Sequence, residues 1–471
     1  MKKRMNQVLM TTMAAAVSAS AITGCSSQSA SSEATPQVVK EETSQESTAS
    51  VEEVEEEPVI DLGGMEIIIG DWWSTAEEKE PTTAQEEATQ EYRKMIQEKY
   101  NFTIKQVGLG DWGSYQEIFT VSTMAEDPAA QVFLMAQSFL AQPLANGLLY
   151  DLSTLDNLDF SEAKWNQSVT ELMTKGDSIY GMTAGKAEPK LGVFWNKRLF
   201  KEAGIDPDLP YDLQASGEWT WEKFEELCAQ LTKDKDNDGV MDTYAMASFS
   251  CELFPAAVLS NNAQWIGKDE QGKYYNATTT PEFLEAMQWA TSLIEKGYEM
   301  PVPTDANWDW FISAFHDAKV AMTVAEEYRV GTWQDMDDDY GFVLFPKGPR
   351  STEYATNVIE NVAVIPACYD KETAEKIAFA YNLYTNPTPG YEGEDDWKSS
   401  YYTMFRDERA VDETLSKMYK PGVGHTDNLP MIYGISMGDI CYNVYGLYQT
   451  PAEKIEEVSG TWQALIDDAN K

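Results

Sequence analysis

Strands alternating with helices constrain this chain more than any other feature. Met65-Glu-Ile-Ile-Ile69 is a β-branched run of the kind buried within a sheet. Thr82-Thr-Ala-Gln85 offers a capping box for a helix with Ala88, Tyr92, Met95 and Ile96 on one face. Phe102-Thr-Ile-Lys-Gln-Val107 and Gln131-Val-Phe-Leu-Met135 read as the next two strands. Such alternation implies a parallel sheet and an α/β fold. The first strand stops at Gly70-Asp71-Trp72-Trp73-Ser74. Two adjacent tryptophans there point in different directions and are hard to bury together, and in open α/β sheets that carboxyl edge is where ligands sit.

Gly108-Leu-Gly110-Asp-Trp-Gly113 has the formal spacing of a dinucleotide-binding loop. Asp111 and Trp112, however, place a carboxylate and an indole where a pyrophosphate must approach bare backbone, so a glycine-rich loop beside the cleft is expected. Further on, Leu191-Gly-Val-Phe-Trp-Asn196 precedes a short helix ended by Gly204. Thr220 caps a helix with Phe224, Leu227, Cys228 and Leu231 on one face. The tail, 451–471, reads as an amphipathic helix with Ile455, Val458, Trp462, Leu465 and Ile466 as its apolar positions.

The amino end carries Lys2, Lys3 and Arg4, an apolar run over 8–21, and Ile22-Thr-Gly-Cys25. This is the pattern of a secretory signal ending in a bacterial lipobox, whose cysteine is lipidated and becomes the mature amino terminus. The rivals are an ordinary signal peptide cut after Ala19 or Ala21, or a short membrane helix; the run is shorter than the roughly 20 residues that span a bilayer. Residues 26–60, rich in Ser, Thr, Ala, Gln and Glu, bury too little to order themselves and read as an extended acidic tether. The whole chain has 35 basic and 78 acidic residues; losing residues 1–24 removes three cations, leaving 32 − 78 = −46. Nucleic acid is excluded as a partner by that surface, and membrane contact must come through the lipid on Cys25.

Cys228, Cys251, Cys368 and Cys441 are far apart and form no zinc-binding pattern; small buried hydrophobes are favoured over a disulfide, which stays open. Asp234, Asp236, Asp238, Gly239, the Val240 carbonyl and Asp242 match the first half of a calcium loop. Its twelfth position is Ala245, not glutamate, so either a weak structural calcium or a solvated acidic turn is expected. No other cofactor is indicated.

Gly434-Ile-Ser436-Met-Gly438 fits a nucleophile elbow, but both histidines, His316 and His425, precede the serine, whereas the hydrolase order needs one after it. A glycoside hydrolase stays a rival because it needs only two carboxylates about 5 to 10 Å apart, one with a raised pKa. An adhesin would show repeats, and none is seen.

The order of several motifs carries a resemblance. The lipobox, the first strand with its tryptophans, Gly-Val-Phe-Trp-Asn-Lys-Arg-Leu-Phe-Lys-Glu-Ala-Gly-Ile from Gly192, Trp219-Thr-Trp-Glu-Lys-Phe224 and Asp238-Gly-Val-Met-Asp-Thr-Tyr244 follow one another. Phe315-His-Asp-Ala-Lys-Val-Ala-Met-Thr-Val324, Gly341-Phe-Val-Leu-Phe-Pro-Lys-Gly348 and the stretch 358–386 extend the series. Together they resemble the family 1 extracellular solute-binding proteins of bacterial ABC importers. The acidic, aromatic loop 391–398 departs from the pattern.

The resemblance implies a two-lobed periplasmic-binding-protein-like fold, each lobe a mostly parallel sheet flanked by helices, joined by hinge crossovers. The domains would be a signal peptide (1–24), the tether (25–60), a first lobe (61–184 plus about 360–400) and a second (about 185–359 plus about 401–471). It implies a monomer on the outer face of the membrane that captures a carbohydrate in an interlobe cleft and delivers it to an ABC permease without catalysis; a peptide or other polyol is the nearest alternative ligand. Rings stack on pyranose faces while carboxylates and amides bond the hydroxyls. Of 14 tryptophans, Trp72, Trp73, Trp112, Trp265, Trp308, Trp310 and Trp333 crowd the expected cleft edges. Tyr328 sits where the family carries a stacking aromatic, and Gln137, Glu326, Glu360 and Asn361 are the expected polar contacts.

Overall fold

The first strand, β1 (Met65–Asp71), is flanked on both sides, which is why three isoleucines can follow one another in it. It pairs in parallel with β2 (Phe102–Gly108) along its whole length, from Met65 opposite Phe102 to Asp71 opposite Gly108. On its other side it pairs with β3 (Val132–Met135). Successive side chains of a strand face opposite ways. Ile67 and Ile69 accordingly join Ile96, Phe102 and Ile104 in one core, while Ile68 packs on the other face with Tyr115 and Phe133. This computed structural model describes residues 60–75, 80–185, 191–239, 241–358, 361–393 and 395–471.

Between β1 and β2 runs α1 (Ala84–Tyr100), capped one residue later than the sequence suggests. Thr83 is the N-cap and Glu86 its partner; the Glu86 carboxylate also accepts from the Thr82 amide (2.6 Å) and hydroxyl (2.8 Å). A charged acceptor gathers these orphan donors better than the Gln85 amide would. Met95 consequently lies exposed, and Ile96 alone of the expected face is fully buried. The glycine-rich loop leads into α2 (Trp112–Met124), whose N-cap is Asp111, accepting from the Ser114 amide at 2.9 Å. A Cβ on Gly108 would lie 2.3 Å from the Ser74 carbonyl oxygen, so this glycine admits the turn after β1.

The second sheet is built from β4 (Leu191–Asn196), β5 (Tyr244–Met246), β6 (Val320–Glu326) and β7 (Tyr340–Leu344), in the order β7-β4-β6-β5. β4 is buried along its whole length and antiparallel to both neighbours, β6 and β7; only β5 and β6 pair in parallel. This sheet is thus less parallel than expected. The reason is topological: β4 comes straight from the other lobe, begins at the crossing edge and runs away from it, whereas β6 ends there, with Glu326 opposite Leu191. β8 (Val362–Val364) repeats the arrangement on its return. It pairs antiparallel with β3 at the edge of the first sheet, Val362 opposite Met135, and exchanges backbone hydrogen bonds with Met182.

The helices fill in around these sheets. In α3 (Trp221–Leu231), Thr220 caps the start and Phe224, Leu227, Cys228 and Leu231 are buried, as their spacing predicts. The second core also receives α4 (Ser250–Ser260), α5 (Pro281–Glu295) and α6 (Trp310–His316). After β8, α7 (Lys371–Tyr384) packs on the first sheet's core through Ala374, Ile377 and Ala378. The chain then returns to the second core. In the acidic loop Trp397 packs on Tyr419 at 4.3 Å, and the Thr414 hydroxyl donates to the Phe342 carbonyl at 2.8 Å. The last two helices, α8 (Gly438–Tyr445) and α9 (Pro451–Ala469), complete that core; Ile455, Trp462 and Ile466 are buried and Val458 and Leu465 packed at its margin.

Candidate ligand-binding site

A buried carboxylate shapes the turn at the end of β1. Asp71 accepts from the Trp73 amide (2.9 Å), the Ser74 amide (2.7 Å) and the Gln106 side chain (2.6 Å). Those bonds fix the two tryptophans that follow. Trp72 turns inward and meets Tyr115 (5.3 Å between centroids) and Phe139 (5.8 Å), so it is partly buried on the first core. Trp73 and Trp112 stand against Trp72 edge-on, at 4.6 and 5.2 Å, and remain 46% and 53% exposed. The first lobe therefore presents two open indoles held by a third.

A second aromatic group lies on the other lobe. Phe249, just before α4, meets Trp308 edge-on (6.2 Å), stacks on Phe311 (6.1 Å) and touches Tyr442 (6.0 Å). Trp308 is 64% exposed; Tyr328 and Tyr442 are also open. The Arg329 guanidinium lies 5.6 Å from the Trp308 centroid and 5.2 Å from that of Tyr328. Glu326 accepts from Arg329 Nε and from the Tyr328 hydroxyl, both at 2.9 Å. Behind them Glu252 is buried on the first turn of α4; burial and the neighbouring Glu326 push its carboxyl well above the ordinary range.

Both groups sit at carboxyl edges of parallel strands, where Leu191 leaves opposite Glu326 and Val362 returns opposite Met135. They thus flank the crossings between the lobes. Among the described residues no ring pair joins the two groups.

The other expected contacts fall elsewhere. Trp265 is 3% exposed, packed on Phe283 (4.8 Å) and Trp462 (6.4 Å), and Trp333 is wholly buried against Phe194 and Phe315; both belong to the second core and offer no wall. Trp310 is half-buried on the same core. Gln137 is buried and donates to the Val358 carbonyl (3.4 Å), tying a crossing strand to the first lobe. Asn361 is exposed, its carbonyl accepting from the Thr183 hydroxyl at 2.9 Å. Glu360, Val240 and Cys25 lie outside the described residues. Phe249, Arg329, Tyr442 and Glu252 escaped the sequence reading; Arg329 adjoins Tyr328, and only that adjacency could have marked it.

In the acidic turn, carboxylate oxygens of Asp234, Asp236 and Asp242 lie within 4.8 Å of one another. Asp238 contributes its amide to this arrangement, donating to Asp234 and Asp236 at 3.2 Å each, and Gly239, at φ 89°, donates to Asp234. Ala245 is wholly buried in β5 and supplies no side-chain ligand at the twelfth position.

Two α/β lobes whose crossing strands meet both carboxyl edges define the class of two-lobed binding proteins that open and close about a hinge. A family model described as bacterial extracellular solute-binding protein matches residues 91–389, and the chain belongs to that family. The description places its members outside the cytoplasm. Among curated proteins none matches by sequence. Solved structures are similar in fold: a cyclic α-maltosyl-1,6-maltose binding protein of Arthrobacter globiformis (TM-score 0.62, 16% identity, 86% of this chain and 100% of that one). An ABC substrate-binding protein of Listeria monocytogenes in complex with cycloalternan is similar too (0.60, 15%, 86% and 98%). So is a cyclo/maltodextrin-binding protein complexed with maltotetraose (0.57, 14%, 86% and 96%).

Proposed function

We propose that this protein captures an oligosaccharide between its lobes and hands it to an ABC permease, with no catalytic step, while a lipid on Cys25 holds it on the outer face of the membrane. The observation that carries this reading is a pair of open aromatic groups, Trp73 with Trp112 and Trp308 with Tyr328, one on each lobe beside the crossings. Such rings stack on sugar faces, and Glu326 adds a charged acceptor for hydroxyls. Oligosaccharides bound in similarly folded proteins support the choice. A ligand touching both lobes favours closure by its differential affinity.

The test is a thermal-shift screen against a glycan panel. A true ligand at 100 times its Kd stabilises by about 2.7 kcal/mol. No shift with any glycan, against a shift with peptides, would overturn the carbohydrate reading. Beside the second aromatic group, Glu252 is the acid a hydrolase could use, being buried with a raised pKa. Its neighbouring carboxylate, Glu326, is however already engaged by Arg329 Nε and the Tyr328 hydroxyl. Cleaved product in the same incubations would decide for the enzyme.

Anchoring has its own measurement. Cys25→Ala should release the protein into the medium or stall its processing, and unchanged membrane retention counts against lipidation. For the acidic turn, the all-oxygen donor set suits a hard cation such as calcium. Chelator should then lower the melting temperature of the wild type and leave Asp236→Ala unmoved; if neither responds, the turn is a solvated one.

A further inference from the structure

Two cysteines that are 190 positions apart meet where α4 packs on α8. Cys251 lies in the first turn of α4 and Cys441 within α8, and both helices join the second core. Both are free thiols, and each shifts the titration of the other across this junction. The ring contact between Phe249 and Tyr442, at 6.0 Å, brackets the same junction independently. Cys251 is partly exposed and Cys441 wholly buried. Family membership places the chain in a compartment where disulfides persist.

We infer that Cys251 and Cys441 form a disulfide that pins α4 to α8 directly beneath the second-lobe aromatic group. The division of labour follows from exposure. Cys251, the reachable thiol, loses its proton and attacks a low-molecular-weight disulfide, expelling one thiolate and becoming a mixed disulfide. Cys441 then loses its proton and attacks the Cys251 sulfur, expelling the second thiolate. Two protein thiols are oxidised, one small disulfide is reduced to two small thiols, and both protons pass to the leaving thiolates. The Cys251 thiol is held below its ordinary pKa by the Cys441 thiol, against the effect of burial, which suits the attacking role. Cys228 is buried in α3 and Cys368 lies just after β8; neither has a cysteine partner among the described residues.

The experiment uses the full chain, treated while folded with oxidised glutathione, then acid-quenched, unfolded, alkylated and mapped by mass spectrometry. The expected result is a Cys251–Cys441 linked peptide, alkyl label on Cys228 and Cys368, and a melting temperature higher by on the order of 5 °C that reductant reverses. Neither the link nor the shift should occur in Cys251→Ser. Because Cys441→Ser places a hydroxyl in the core, Cys441→Ala serves as the second control: it should take up glutathione on Cys251 and stop there. Alkyl label on Cys228, Cys251, Cys368 and Cys441 alike, or a glutathione adduct on wild-type Cys251 that never resolves, would overturn the inference.

Discussion

Trp333→Ala is expected to cost about 3 to 5 kcal/mol of stability, and Trp308→Ala almost none. Trp333 has no exposed surface; it is wedged between Phe194 at 4.8 Å and Phe315 at 4.7 Å, and its indole N–H donates to the Ile312 carbonyl. Truncation leaves a cavity and an unpaired carbonyl. Trp308 instead spreads over Arg329 and Phe249 with most of its area open. Its loss should leave unfolding within about 0.5 kcal/mol of wild type but weaken binding of the glycan found by the screen by about 1 to 3 kcal/mol, or 5- to 150-fold. Trp112→Ala should behave like Trp308→Ala from the opposite lobe. Denaturant melts and calorimetric titrations on the same preparations separate the two kinds of tryptophan. If Trp308→Ala and Trp112→Ala both bind normally, the ligand does not lie between these rings.

A pH effect of similar size is expected from Glu299. This carboxyl is buried beside β5, accepts from the Ser248 amide (2.6 Å) and the Tyr445 hydroxyl (2.8 Å) on the same oxygen, and leaves its other oxygen without a partner. Burial pushes its pKa from 4.5 up to about 8. Because the folded chain holds this proton where the unfolded chain has released it, the stabilisation is complete below pH 4.5 and is lost progressively as pH rises to about 8. A shift from 4.5 to about 8 corresponds to a loss on the order of 5 kcal/mol across that window. Glu299→Gln keeps an acceptor in place and carries no proton to lose. Its stability should therefore fall less steeply than that of wild type between pH 5 and 8. Asp427, raised to about 6 by burial, acts in the same direction in both proteins and cancels from the difference. Parallel curves for the two would show that Glu299 is charged in the folded state.

Much of the architecture could be read from local pattern, because burial on both sides of a strand leaves unbroken apolar runs such as 67–69 and 191–195. Strand direction could not. Whether β4 runs with or against its neighbours depends on which edge of the sheet the chain enters, and no residue of β4 encodes that. The aromatic site was half legible. Trp72 and Trp73 follow a strand end and so announce an edge, but Trp333 and Trp308 are indistinguishable as letters, and only the packing of Phe194 and Phe315 assigns one to the core. Phe249 and Tyr442 meet across nearly two hundred residues, a distance over which no periodicity speaks.

The first sheet does not acquire its fourth strand until 362–364, after every strand of the second sheet has been laid down over 191–344. A chain threaded outward amino end first would therefore deliver β1, β2 and β3 early yet leave the outer edge of β3 unpaired until residue 362 had followed. An open edge is a template for wrong partners. The second sheet has no such wait, since its strands arrive in one uninterrupted stretch. Assembly outside the cytoplasm is thus expected to run against the order of delivery, with the later sheet closing first and the amino-terminal half depending longest on protection at the exit.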